Sequence, residues 1–260
     1  MIGIDFGFGA VEGELWQMLF VMSRIGAALL AAPFFGAAGV PVQVRVGITG
    51  AIAIMVCAWL PVQAPPALLS LDGMLILAGE VLVGLALGFV LQVAFAAPLI
   101  GAELISGSMG LSMATAADPA SGAQSTAIGQ YFSVLLSLVF LLLGGHLHFL
   151  NLVIASYEVF PPGETWLGAE RLHHIIGFGG KMFMTALVIA LPVTLVLLIV
   201  QMVTGVLSRS APSLNLFALG LPVGVLTGLA ALIAASPLLA GQLVDLSHTA
   251  IEDTASVLKP

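Results

Sequence analysis

The chain of 260 residues carries six Lys or Arg, thirteen Asp or Glu and a formal net charge of −7. Hydrophobic residues make up 60% and charged ones 7%, with a mean hydropathy of +1.18; soluble domains hold about 25% charged residues, so a water-soluble core is excluded. Six scattered cations cannot form a phosphate-binding face, which excludes nucleic acid as a partner. The lone Cys57 excludes a disulfide framework or a cysteine metal cluster.

The start, MIGIDFGFGAVEGE, is acidic and lacks a basic n-region, so no cleaved signal peptide is expected. Six membrane-length apolar segments follow, at 14–35, 44–60, 73–97, 124–145, 181–207 and 215–235, with a helical extension to about residue 156 after the fourth. The runs 81–102, 119–157, 182–208 and 210–244 hold no charge. Each exceeds the roughly 20 residues that cross about 30 Å of hydrocarbon. An all-α, polytopic membrane protein of about six helices is predicted. PVQAPPALLSLDG is a Pro-rich break after the second segment, and FPPGETWLGAERLHH is the only long polar connection. From Pro237 onward Leu239, Leu243, Leu246, Ala250 and Val257 fall at helical spacing, with Asp245, Glu252 and Asp253 elsewhere. That pattern predicts an amphipathic helix packed on the protein or lying at the interface.

Arg45 precedes the second segment and Arg209 joins the fifth to the sixth. Six spans put these loops on one side, cytoplasmic by the positive-inside rule, with both termini outward. Gly84 and Gly88 form a GxxxG step and Gly220, Gly224 and Gly228 a longer ladder, suited to close helix approach in lipid. Pro98, Pro192 and Pro222 sit inside or at the ends of apolar runs, where each removes a backbone donor and favours a kink.

Catalytic constellations are missing. GLSMA at 110–114 lacks the closing glycine of a nucleophile elbow. His146 and His148 are two apart, so on a helix they diverge by about 200° and cannot share a metal. No enzyme, cofactor or metal site is expected. Two charges lie inside apolar segments, Arg24 in the first and Glu80 in the third, at similar depth. A lone charge in lipid costs several kcal/mol, so a mutually neutralising pair is expected. The competing reading is a secondary transporter with Glu80 as its midplane acid, but no inverted repeat accompanies it.

One stretch fits neither a loop in water nor a membrane helix. SGSMGLSMATAADPASGAQ, 106–124, has a single charge, Asp118, followed by Pro119. It belongs to a longer ordered set: GAELISGSMGLSMATAADPASGAQ, then LLLGGHLHFL, then LSRSAPSLNLFALGLPVGVLTGL, preceded by RIGAALLAAPFFGAAGVPVQVRVGI and EVLVGLALGFVLQVAFAA. These blocks cover most of residues 15–235, and their order and spacing resemble the FliR family of flagellar type III export-gate subunits, whose architecture virulence-type homologues share. The resemblance implies bent helical hairpins in a helical pore built with FliP-like and FliQ-like proteins and wrapped by an FlhB-like protein. Unfolded flagellar proteins would leave through it, across the bacterial inner membrane at the flagellar basal body.

It further implies a FliP-like part at 1–160 and a FliQ-like hairpin with its amphipathic tail at 161–260. The segment after Glu103 would plug the pore, through Gly107, Met109, Gly110, Leu111, Met113, Asp118 and Pro119. Some relatives carry phenylalanine where Met113 and Ala116 or Ala117 stand, so the seal is expected to rest on Met109, Leu111 and Met113. Helix packing and subunit contacts are expected at Gly84, Gly88, Glu103, Arg209, Pro212, Asn215, Gly220, Pro222 and Gly224, with Asn215 capping the last segment.

Overall fold

A computed structural model describes residues 10–37, 39–60, 62, 65, 70–111, 126–163, 168–210 and 216–259. The described residues form seven helices and no strand: α1 (Ala10–Ala31), α2 (Val42–Trp59), α3 (Leu71–Ser108), α4 (Ala127–Leu142), α5 (Gly145–Val159), α6 (Ala169–Ser210) and α7 (Leu216–Ser256). Five of them are long and apolar enough to cross a membrane, and α4 and α5 are so only when taken together, with a bend of 69° between them. This is a multi-pass, all-α membrane protein.

Three helices outrun their predicted segments. α3 passes through Pro98 to Ser108, α6 starts twelve residues before 181, and α7 passes through both Pro222 and Pro237. None of the prolines ends its helix. The last part of the polar connection, from Ala169, is therefore the start of α6, where Glu170 lies in the first turn, favourable at the positive end of the dipole. Ile175 and Phe178, three residues apart, give the following turns of α6 a buried side. The fourth segment is broken instead. Gly144, at φ +70°, takes the left-handed backbone that separates α4 from α5.

The chain divides into two compact units. The first comprises residues 1–94, 144–178 and 249–260 and holds α1, α2, α5 and the start of α3 and α6. In it α1 and α3 touch backbone to backbone. A Cβ on Gly84 would overlap the carbonyl oxygen of Arg24 and lie 2.9 Å from Ala27 Cβ, and one on Gly88 would lie 2.6 Å from Ala28 O. The second comprises residues 95–143 and 179–248. There a Cβ on Gly101 of α3 would lie 3.0 Å from Ala186 O of α6, and Phe95 meets Phe140 of α4 edge to face at 5.1 Å. The tail residues Leu239, Leu243, Leu246, Ala250 and Val257 are all buried, so that face of α7 packs on protein.

Candidate functional site

The most polar buried site lies in the first unit. Arg24, two-thirds of the way along α1, is 1% exposed and Glu80, ten residues into α3, is 2% exposed. The close α1–α3 approach at Gly84 brings them together. Arg24 Nε donates to Glu80 Oε2 at 2.8 Å and Nη2 to Oε1 at 2.7 Å, a two-pronged pair. Nη1 donates to Ser156 O at 2.8 Å and Ser156 Oγ at 3.2 Å, and Nη2 also to Phe160 O at 2.8 Å. All five guanidinium protons are thereby used.

Ser156 and Phe160 end α5, so the cation sits where the helix dipole is negative. Tyr157 closes the site: its ring centroid is 4.1 Å from the guanidinium carbon, and its hydroxyl donates to Val21 O at 2.9 Å. The cluster ties three helices and presents no acid to a passing solute.

In the second unit the end of α3 is fastened from several sides. Gly110, at φ +84°, closes the helix: Gly110 N–H donates to Gly107 O and Leu111 N–H to Ser106 O, both at 3.0 Å. That is a Schellman turn, which satisfies the last free carbonyls. Gln201 Nε2 of α6 donates to Ser108 O at 2.7 Å. Thr126 caps the start of α4 by accepting from Gly129 N–H at 3.2 Å. Its own N–H donates to Glu103 Oε1 at 2.9 Å, its hydroxyl donates to the same oxygen at 3.1 Å, and Ser106 Oγ donates to Thr126 Oγ1 at 3.0 Å. Leu111 and Thr126 are thus both bonded to residues of α3. A cleft of about 270 Å³ opens beside this turn, lined by Gly107 to Gly110, by Leu197, Gln201 and Thr204 of α6, and by Leu221 and Gly224 of α7.

The expected site residues scatter. Arg24 and Glu80 are together; Gly84 and Gly88 pack α1 on α3; Glu103 is an exposed residue that holds Thr126. Gly107, Gly110 and Leu111 share the turn, and Met109 beside them is buried against α7. Gly224 and Gly228 meet Met109, whereas Gly220 has no described neighbour within 4 Å. Pro222 lies inside α7, and Arg209 is exposed at the end of α6. Met113, Asp118, Pro119, Pro212 and Asn215 lie outside the described residues. Sequence reasoning missed Ser156, Tyr157, Phe160, Thr126, Ser106 and Gln201. Thr126 alone had a readable signal, as a threonine directly before an apolar run. Among the described residues no three His, Cys, Asp or Glu side chains converge to hold a metal.

An all-helical, multi-pass membrane protein with its buried charge sealed by carbonyls and its helix ends fastened to one another is the class these features define. Residues 15–250 match the family of bacterial export proteins, family 1, and the chain belongs to that family. It is 32% identical to the flagellar biosynthetic protein FliR of Escherichia coli (strain K12) over 225 residues, 86% of this chain and 84% of that protein. To FliR of Bacillus subtilis (strain 168) it is 32% identical over 211 residues, 80% of this chain and 81% of that protein. The similarity to the surface presentation of antigens protein SpaR of Shigella flexneri is 31% over 144 residues, 55% of this chain and 56% of that protein.

Proposed function

We propose that this chain is a FliR-type subunit of the flagellar type III export gate, assembling with FliP-like and FliQ-like proteins into the pore through which unfolded flagellar proteins leave, beside an FlhB-like protein. One observation carries the reading. α3, α6 and α7 have 38, 42 and 41 residues, about 57, 63 and 62 Å of helix against about 30 Å of hydrocarbon. Even at about 40° of tilt, the steepest commonly found, each overshoots the bilayer by more than ~10 Å. Yet exposed large apolar side chains run from Leu71 to Leu104 on α3 and from Leu172 to Leu207 on α6, about 50 and 53 Å of helix. Apolar helix surface that neither lipid nor this chain covers calls for other protein. The FliR relatives match along most of their length and the SpaR relative along about half, which favours a flagellum over a virulence apparatus.

In this reading residues 1–160 are the FliP-like part and 161–260 the FliQ-like hairpin with its tail. Arg45 and Arg209 mark the cytoplasmic side of the bacterial inner membrane. The segment after Glu103 is the plug, sealing by apolar bulk through Leu111 and Met113. The protein works without catalysis or a cofactor. The transporter reading is weakened because both Glu80 oxygens are engaged by Arg24 in a site that is 2% exposed.

Met113→Asp tests the proposal. It should place a hydrated charge in the seal and make resting cells that carry the assembled complex leak small ions, while flagellar export survives in part. An assembled Met113→Asp complex as ion-tight as wild type would overturn the plug.

A further inference from the structure

The residues expected to form the plug do not share one environment. Gly107 is exposed, Gly110 and Leu111 are half-exposed, and Met109 is 2% exposed. The cause is the α7 glycine ladder. A Cβ on Gly228 would lie 2.5 Å from Met109 Cγ and 2.7 Å from both Sδ and Cε, so the thioether rests on the bare backbone of α7. One turn earlier, a Cβ on Gly224 would lie 3.1 Å from Met109 O. At the first rung, a Cβ on Gly220 would meet no described atom within 4 Å. Two of the three glycines therefore form a socket for one side chain.

We infer that Met109 is an anchor that latches the last turn of α3 to α7, through the socket at Gly224 and Gly228, and is not part of the seal. An unbranched thioether suits the position, because it lies flat along a surface that offers no side chain to interdigitate with. The neighbouring bonds work to the same end. The Schellman turn at Gly110 fixes where Met109 points, and Gln201 holds Ser108 O on the adjacent helix. Any displacement of α7 along its axis would have to carry the α3 end with it or empty the socket. This rests on the export-gate reading only in treating the anchored turn as the root of the plug.

Two measurements on the assembled complex in membranes test the anchor. In the first, Met109→Cys is combined with Gly228→Cys, and separately with Gly220→Cys, in a Cys57→Ser background under mild oxidant. The 109–228 pair should cross-link at least about tenfold faster than the 109–220 pair, since a disulfide needs Cβ atoms about 4 Å apart. Equal rates, or the reverse order, overturn the anchor.

In the second, Gly228→Leu fills the socket, and the sulfoxide formed at Met109 by added peroxide is followed by peptide mass. Wild-type Met109 should oxidise at least about tenfold more slowly than in the variant, because burial shields the sulfur. If the filled socket leaves Met109 equally protected, the anchor is wrong. Should Gly228→Leu fail to assemble, Gly228→Leu with Met109→Ala exchanges the volumes and should restore assembly; no recovery counts against the socket. Conductance of the same variant separates the two ideas. Met109 freed with an ion-tight complex supports the anchor and removes the plug, whereas Met109 freed with a leak supports both.

Discussion

The two units bury different chemistry. Among the described residues the first hides an ion pair, Arg24 with Glu80, inside a shell of α5 carbonyls, whereas the buried polar side chains of the second are only Ser106, Thr126 and Ser247. Both units bring helices together on bare glycine, Gly84 and Gly88 against α1 in the first, and Gly101 on Ala186 with Gly224 and Gly228 on Met109 in the second, but among the described residues only the first adds a buried ion pair. The difference has an energetic consequence. A buried charge is held by partners that must all be present, so its loss is abrupt and its neighbours' losses are not additive. A glycine contact is lost in proportion to the volume added, so its cost is graded.

The sharpest way to break that contrast is at the ion pair. Glu80→Ala or Arg24→Leu alone should cost about 3–5 kcal/mol by leaving an orphaned buried charge. The result should be a steep fall in protein that survives heating in detergent. Arg24→Leu combined with Glu80→Ala should recover part of the loss, although the carbonyls of Ser156 and Phe160 then lose the guanidinium as a donor. A double variant as poor as the two losses added together would mean that the charges are not coupled.

A middle-sized effect is expected at Gly101, where the nearest atoms are Ala186 O at 3.0 Å and Ile189 Cγ2 at 3.2 Å. Gly101→Ala should cost less than Gly101→Leu, and the latter about 1–3 kcal/mol, measured by protease resistance of the purified chain. Gly220→Ala is the internal control. No described atom lies within 4 Å of a Cβ there, so it should be neutral or gain up to about 1 kcal/mol from helix propensity. Equal losses at the two glycines would erase the graded behaviour assigned to the second unit.

The smallest expected effect concerns the clasp at the start of α4. Thr126→Ala removes the cap on Gly129 and the hydroxyl shared with Glu103 and Ser106, and should cost about 1 kcal/mol. Thr126→Ser should restore most of it, since the oxygen returns. Amide exchange at the first turn of α4 would report the change directly. Protection unchanged in Thr126→Ala would mean that Glu103 alone holds this end.

Membrane class, helix content and the buried face of the tail were legible in the chain because they depend on local spacing and on the cost of moving side chains out of water. Leu239, Leu243, Leu246, Ala250 and Val257 stand at helical intervals, and all five are buried. Pairing Arg24 with Glu80 followed from depth alone, since two opposite charges in apolar helices have few other places to go.

Tertiary structure decided the rest. The carbonyls of Ser156 and Phe160 carry no residue signature, because every residue offers the same acceptor, so Arg24's further partners left no trace in the sequence. Helix ends were misplaced where proline or polar residues suggested a stop. Pro98 and Pro237 lie inside continuous helices, because a missing N–H and a crowded ring are tolerated where neighbouring packing outweighs them. Nor does a glycine ladder say which side chain it will receive. Sequence spacing showed that α7 had a bare face, but only the placement of the α3 end decided that Met109 fills it, since volume complementarity is settled between surfaces distant in the chain.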